Sequence, residues 1–310
     1  MDIPTDFSYT RYLAAKKSVD DRALNRQVFE ALAQALGPRQ ESGPVAFLEV
    51  GAGIGTMVER LWDWGVLTNA RYQAVDLLPE NIAAAKTRLG AFARERGLQV
   101  EPAQGNGCLF TNPSRTLTLT LEAADAFDYA ARQNRGAAWD VLVAHAFLDL
   151  VDLEKALPSL LALLKPGGWF YFTLNFDGAT IFLPPLDPDL DKLIEELYHG
   201  TMDHRSAGGK PSGSSRTGRL LVNLLPKLGG RILAAGSSDW VVFPGPGCYP
   251  EDEAYFLHYL IHTVNGALRE NPLLPERSLQ EWTSTRHRQI EGAELAYIAH
   301  QLDFFGIKED

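Results

Sequence analysis

Apolar and polar positions follow two rhythms along the chain, and the switches between them mark the elements. Val45 to Val50 is an apolar run broken only by Glu49, as in a strand covered on both faces. It ends in glycines at every second position, Gly51, Gly53 and Gly55. Met57, Val58, Leu61 and Trp62 then recur at helical spacing. Strand, tight turn and helix in that order predict the first βα unit of an open parallel sheet. The same reading predicts a helical region over 8–37, a polar Gly/Pro linker over 38–44, a strand over 71–76 and a helix over 79–96. Residues 97–113 read as loop with room for one short strand. Thr116 to Leu121 alternates Thr and Leu, a strand by period. A strand over 139–145, a helix over 153–164 and a strand over 169–175 follow. Gly167 serves as the stop signal after that helix. Beyond lie an acidic helix over 187–198, a Gly/Ser-rich loop and a helix over 217–228. A long strand over 231–243 is broken near Gly236. Helices over 251–270 and 276–291 precede a last strand over 295–304.

The 310 residues are 45% hydrophobic, enough for one large α/β domain with cap elements. A net charge of -10 argues against nonspecific binding to nucleic acid or anionic membrane. Cys108 and Cys248 make neither a disulfide framework nor a C-x-x-C metal spacing, so no metal is expected. No apolar run reaches the roughly 18 residues of a membrane span. The N-terminus is polar and acidic, without an apolar signal region. These features predict a soluble, cytoplasmic protein and leave its oligomeric state open.

Glycines after a strand let the backbone turn with φ > 0 and let a ligand lie against the main chain. A dinucleotide fingerprint would place its third glycine at position 56, which is Thr56. Glu49 is also unlike a dinucleotide strand. Asp76 ends the next strand about 21 residues after Gly55, where a carboxylate accepts ribose hydroxyls. Its other reading is a cap for the helix starting near Pro79.

The pattern Glu49-x-Gly51-x-Gly53-x-Gly55 resembles the first motif of the class I S-adenosylmethionine-dependent methyltransferases. Leu164-Lys165-Pro166-Gly167-Gly168 before an aromatic strand is similar to the same family's approach to strand five. The resemblance implies a doubly wound, seven-stranded, mostly parallel Rossmann-like sheet with its final strand antiparallel. It implies S-adenosyl-L-methionine as cofactor, held by Glu49, Gly51, Ala52, Gly53, Gly55, Asp76 and Leu77. Asp125 and Ala126 stand where the family meets adenine, with Glu122 and Asp128 as rival acids. His145 and Ala146 follow the fourth strand and face the cofactor. In the family the last two strands form a hairpin; here two helices split them. The implied organisation is a helical cap over 1–44 and a methyltransferase domain over 45–310, with cap insertions at about 178–216 and 249–293.

The implied reaction is methyl transfer to a small-molecule acceptor by in-line displacement. His145 and His199 are the candidate bases, with a packed structural role as the other reading of His145. Tyr12, Arg22, Phe147, Asp149, Tyr198, Asp203 and Arg205 are candidates for contacting the acceptor. The N-terminal helices, with Tyr12, Lys17, Asp21 and Arg22, are expected to close as a lid together with 198–205. The alternatives are aminopropyl transfer from an S-adenosylmethionine derivative and a catalytically silent binding protein.

Overall fold

The computed structural model describes residues 3–103, 107–133, 138–207 and 210–309. Three helices open the chain: α1 (Tyr9–Ala15), α2 (Lys17–Ala23) and α3 (Arg26–Glu41). Capping residues break the predicted single helical region. Ser8 accepts from the Arg11 amide and Asn25 from the Val28 amide. The predicted linker shrinks, because α3 continues through Pro38 to Glu41. Gln40 is buried in that last turn. Its side chain donates to Val66 O at 2.6 Å and accepts from the Thr68 and Asn69 amides at 2.8 and 3.0 Å.

The predicted βα unit follows as β1 (Val45–Val50) and α4 (Thr56–Asp63). Next come β2 (Asn69–Asp76), α5 (Pro79–Glu95), β3 (Gln99–Pro102), β4 (Cys108–Asn112) and β5 (Arg115–Ala123). Then α6 (Ala126–Arg132) and β6 (Trp139–His145) lead through a 3-10 turn at Leu148–Leu150 into α7 (Leu153–Leu161) and β7 (Leu164–Leu183). The rest is α8 (Pro188–Asp203), β8 (Ser206–Ala207), β9 (Lys210–Pro211), α9 (Thr217–Lys227), β10 (Gly230–Ser237), β11 (Trp240–Val242), α10 (Glu253–Leu268), α11 (Glu276–Glu291) and β12 (Ala296–Lys308).

Among the described residues one ten-stranded sheet runs β10-β12-β7-β6-β1-β2-β5-β4-β3, with β11 paired to β12. Its middle, β5-β2-β1-β6-β7, is parallel. Strand order reverses between β1 and β6, and open α/β sheets bind ligands at such a switch point. β12 lies antiparallel between β7 and β10. The expected seven strands are therefore present, with additions at both edges. Residues 97–113 hold two strands rather than one, because β3, β4 and β5 continue as an antiparallel meander. α7 stops at Leu161, three residues before the expected end, and Gly167 takes its positive φ of 70° inside the next strand. β7 runs on to Leu183, where Phe182 and Ile181 pair with Tyr297 and Ile298 of β12. The interruption expected at 178 thus begins after Leu183.

Two apolar clusters cover the two faces of the sheet, around Phe47, Tyr72 and Leu61 on one and Leu48, Leu142 and Phe172 on the other. A third joins α1, α2, α8, α10 and α11 into one cap. α10 is apolar around most of its circumference because it is buried among the others. Tyr12 stacks on Tyr259 with ring centroids 4.3 Å apart. Arg11 pairs bidentately with Asp252, and Arg22 donates to both oxygens of the buried Glu253. Trp282 and Arg286 of α11 both donate to Asp191 of α8 at 2.7 Å.

Candidate functional site

The glycine turn sits at the carboxyl edge of β1. Gly51, Gly53 and Gly55 adopt φ of 68°, 54° and 80°, the left-handed region that side chains resist. The turn is covered. A Cβ on Gly51 would stand 2.5 Å from Phe147 Cδ2, and one on Gly53 would stand 3.3 Å from Leu13 Cδ1. One apolar side chain from the tip of β6 and one from α1 therefore lie where a ligand would meet the main chain.

Asp76 ends β2 beside this turn. Its Oδ2 accepts from the Gly53 amide at 2.7 Å, and its Oδ1 accepts from the Leu78 amide at 2.9 Å and Asn81 Nδ2 at 3.0 Å. The carboxylate thus ties the glycine turn to the start of α5, and it keeps lone pairs for further donors. The Gly53 amide is spent on it. Leu77, next in sequence, is 62% exposed at the rim. Glu49 is buried and accepts from Tyr72 Oη at 2.8 Å. Burial pushes its carboxyl up to about 8, opposed by the Tyr72 hydrogen bond and by Arg60.

Asp125 caps α6, with Oδ1 accepting from the Phe127 and Asp128 amides at 2.8 and 3.1 Å. Its Oδ2 takes no hydrogen bond among the described residues. Ala126 is buried in the first turn of that helix. Glu122, the rival acid, accepts from Arg132 at 2.9 Å.

His145 ends β6, and Ala146 turns the chain sharply with φ of 49°. Positive φ in a non-glycine residue is a strained turn of the kind that collects at functional sites. The imidazole is buried with both nitrogens engaged. Nδ1 lies 2.8 Å from Thr173 Oγ1, and Nε2 lies 3.1 Å from both Asp20 Oδ2 and Arg60 Nη1. Arg60 donates when Nε2 is bare, and Asp20 accepts when it carries the proton. Burial and the Arg60 charge bring the imidazole down to about 4, so it is neutral near pH 7. In this arrangement His145 is a strut between the sheet edge and α2.

That network is what sequence reasoning missed. Asp20 accepts from Lys16 Nζ at 2.7 Å, Arg60 Nη2 at 3.2 Å and Trp240 Nε1 at 3.0 Å. Burial works against its charge, but Lys16, His145 and Arg60 hold it well below the usual carboxylate range. Arg60 also donates to Asp21 and, at 3.2 Å, to Thr56 Oγ1 at the start of α4. The helix behind the glycine turn is thereby fastened to the cap. The available signal was the pair Lys16/Asp20 at helical i,i+4 spacing, which the pair Lys17/Asp21 repeats at 2.6 Å on a half-buried face.

The acceptor candidates divide. Phe147 and Asp149 lie at the switch point beside the glycine turn. Asp149 Oδ1 is buried without a hydrogen-bond partner, and burial raises its carboxyl. Its charge is felt by Tyr9, Lys16 and Tyr198, and Arg205 pulls the other way on it. Burial pushes the Tyr198 phenol up to about 12. Tyr12 lies among Tyr9, Tyr198 and Tyr297 and is raised by burial too. Arg22 is instead consumed by Glu253. Asp203 is exposed and holds the Ser215 amide and hydroxyl at 2.7 and 3.0 Å, a loop fastening. His199 lies 3.0 Å from Thr180 Oγ1 and packs edge-on to Phe176, and burial lowers it. Among the described residues no group of three or more His, Cys, Asp or Glu is placed to hold a metal. Among them, too, no helix is long and apolar enough to cross a membrane.

Residues 48–172 match the family model described as a methyltransferase domain. No curated protein sequence matches the chain. Among solved structures, YjhP from E. coli is 14% identical, with 96% of this chain and 99% of that one covered at a TM-score of 0.46. A geranyl diphosphate C-methyltransferase from Streptomyces coelicolor A3(2) is 10% identical, covering 91% and 81% at 0.42. A geranyl diphosphate methyltransferase in complex with SAM is 11% identical, covering 98% and 92% at 0.43. Scores this low describe a shared outline and carry nothing about ligands. The matched segment holds the glycine turn, Asp76, the β6 tip and the approach to β7, and over it the chain is similar to a methyltransferase domain.

Proposed function

We propose that the chain binds S-adenosyl-L-methionine on the Gly51–Gly55 turn and methylates a small molecule beneath the helical cap. The observation that carries this is the contact between Asp76 Oδ2 and the Gly53 amide at 2.7 Å, which couples a ribose-type carboxylate to a glycine cradle. Left-handed φ at all three glycines keeps the turn free of Cβ atoms of its own, and the Phe147 ring and Leu13 that cover Gly51 and Gly53 would have to give way to such a group. Asp76 would accept from ribose hydroxyls, Leu77 would cover the base, and Asp125 Oδ2 is free to accept from an exocyclic amine. When bound, the cofactor supplies an electrophilic methyl group that carries its own leaving group.

The chain's residues then have to orient the acceptor and keep water out. Orientation alone supplies a large part of such an acceleration. α1 and α2 of the cap reach the switch point, through Leu13 at Gly53 and Asp20 at His145, and favour an acceptor small enough to lie beneath them. His145 holds no free lone pair in this arrangement, so its contribution is to position the β6 tip. His199, tied to Thr180, fits a wall of the acceptor side.

Calorimetric titration with S-adenosyl-L-methionine, S-adenosyl-L-homocysteine and NAD tests the cofactor assignment. Binding of the first two without NAD is the expected result. Binding of NAD alone, or of none of them, overturns it.

A further inference from the structure

Four neighbouring strand tips lie in the order β5, β2, β1, β6, and each carries one polar feature. Asp125 follows β5, Asp76 ends β2, the glycine turn follows β1 and His145 ends β6. Three strand spacings separate the first from the last, about 14 Å in all. An extended ligand with its adenine at Asp125 and its ribose at Asp76 crosses the glycine turn with its sulfur. Its amino-acid end then falls at the β6 tip.

A buried cluster of charges stands there. Lys16 Nζ lies 2.7 Å from Asp20 Oδ2, and the same oxygen lies 3.2 Å from Arg60 Nη2 and 3.1 Å from His145 Nε2. Arg60 donates at 3.2 Å to Thr56 Oγ1, on the first residue of the helix behind the glycine turn. The Lys16 amide donates to Tyr12 O at 2.9 Å, so Lys16 continues the helical path of α1. It follows Leu13, the residue that stands over Gly53, by about one turn.

The cluster is short of one negative charge. Lys16 and Arg60 are both buried and share Asp20, while Asp21 at the rim takes Arg60 and Lys17 together. Three cations thus meet two carboxylates, in a chain whose net charge is -10. His145 adds no charge near pH 7, as noted above. Other buried acids do not close the balance. Burial holds the Glu49 carboxyl up to about 8, and Asp303 is spent on the Asn25 and Leu174 amides at 2.8 and 2.7 Å. Asp149 acts on Lys16, but burial raises its carboxyl as well. Lys16 spends one of its three N–H groups on Asp20 among the described residues, and Nζ lies 5.3 Å over the Trp240 ring. A buried cation with less than its share of anion is costly until one arrives.

We infer that Lys16, braced by Asp20 and Arg60, takes the carboxylate of the cofactor's amino-acid end. This rests on the cofactor reading above. The ammonium keeps Asp20 and turns a second N–H to the ligand, which makes the contact a charge-assisted hydrogen bond. A donor that lacks the carboxylate, as aminopropyl transfer requires, leaves the surplus charge unanswered. The same cluster therefore selects against it.

The test is calorimetric titration of the full chain with S-adenosyl-L-homocysteine and with its decarboxylated analogue, S-adenosyl-3-thiopropylamine. A chain that binds neither overturns both readings. The analogue is expected to bind at least about tenfold more weakly, the ratio one charge-assisted hydrogen bond supplies. Lys16→Met should lower S-adenosyl-L-homocysteine affinity at least about tenfold and leave the analogue within about threefold. The analogue's binding also reports that the variant is folded. Lys16→Gln, which keeps an N–H for Asp20, is the companion variant and should lose the same preference. Equal binding of the two ligands to wild type overturns the inference and leaves the cofactor reading standing. So does a preference that survives in either folded variant.

Discussion

Asp20 Oδ2 lies 3.2 Å from Arg60 Nη2, and both side chains are removed from water. The two come from opposite sides of the site, Asp20 from the cap and Arg60 from the helix behind the glycine turn. A buried ion pair adds little net stability when intact, but removing one partner strands the other. Arg60→Met should therefore cost about 3–5 kcal/mol, because it leaves Asp20 with Lys16 alone as a charged partner. Asp20→Asn should cost at least as much, since it leaves the buried Lys16 without an anion and gives Arg60 only a neutral amide. Urea unfolding midpoints for the two variants check the order. Arg60→Met as stable as wild type would show the pair to be dispensable.

The acid limb of stability follows from the same network. His145 sits at about 4 in the folded chain against about 6.5 when unfolded. The unfolded state binds more protons between those values, so this contribution is complete above pH 6.5 and lost as pH falls through 4. Its size is about 3 kcal/mol. Asp20, depressed by Lys16, His145 and Arg60, acts with the same sign at lower pH. His258, brought down to about 4 by burial and by His287, adds to the loss. Unfolding free energies measured from pH 7.5 to 4.5 should fall steeply, and His145→Gln should flatten that slope. A slope unchanged in the variant would place the titration elsewhere.

Glu49 works in the opposite direction. Its carboxyl is at about 8 folded against 4.5 unfolded, so the folded state holds the extra proton. Stability is complete below 4.5 and declines as pH rises through 8. Glu49→Gln keeps an oxygen for the Tyr72 hydroxyl and removes the titration. At pH 9 it should be more stable than wild type, by about 5 kcal/mol, while near pH 4 the two should match. Denaturation at both pH values decides it, and a variant no more stable at pH 9 contradicts the assignment.

The sheet's centre was legible because its signals are local. Three glycines after an apolar run, an acid ending the next strand, and Lys165-Pro166-Gly167-Gly168 before aromatic residues each occupy a few adjacent positions. What stayed hidden depends on distant partners. Residues 176–183 alternate too poorly to read as strand, and they extend β7 because β12, more than a hundred residues later, pairs with them. Lys16/Asp20 and Lys17/Asp21 read identically as helix pairs, Arg60 reaches both, and the further approach of His145 and Trp240 sets the first apart. Asp125 combines a cap with the expected ligand position, and a sequence position cannot separate those roles.

Asp76→Ala tests the ribose assignment. The substitution removes charge-assisted hydrogen bonds of roughly 1.5–3 kcal/mol each, and it also frees the Gly53 and Leu78 amides. S-adenosyl-L-methionine affinity should fall at least about tenfold. Asp76→Asn should fall less, because its oxygen can still brace one amide. Calorimetry on folded variants reads both, and unchanged affinity in Asp76→Ala removes Asp76 from the site.

Closure of the cap should be visible in the kinetics of cofactor binding. Leu13 and Phe147 stand against Gly53 and Gly51, so a ligand reaches the glycine turn only after α1 and the Phe147 ring move. Moving α1 means loosening the stacking of Tyr12 on Tyr259 and the pairing of Arg11 with Asp252. Moving α2 with it also breaks Arg22 from Glu253. Binding that waits for such an opening has a rate that rises with ligand concentration and then levels at the opening rate. Stopped-flow association of S-adenosyl-L-homocysteine, followed by tryptophan fluorescence because Trp240 touches Asp20, should show this plateau. Arg22→Ala should raise the plateau several-fold, since it removes a fastening of the cap far from the glycine turn. Hydrogen exchange over 9–23 should quicken in that variant and slow when ligand binds. A rate that climbs linearly to the highest usable concentration, with Arg22→Ala identical to wild type, would mean that the turn is already open to solvent and that the cap plays no part in admission.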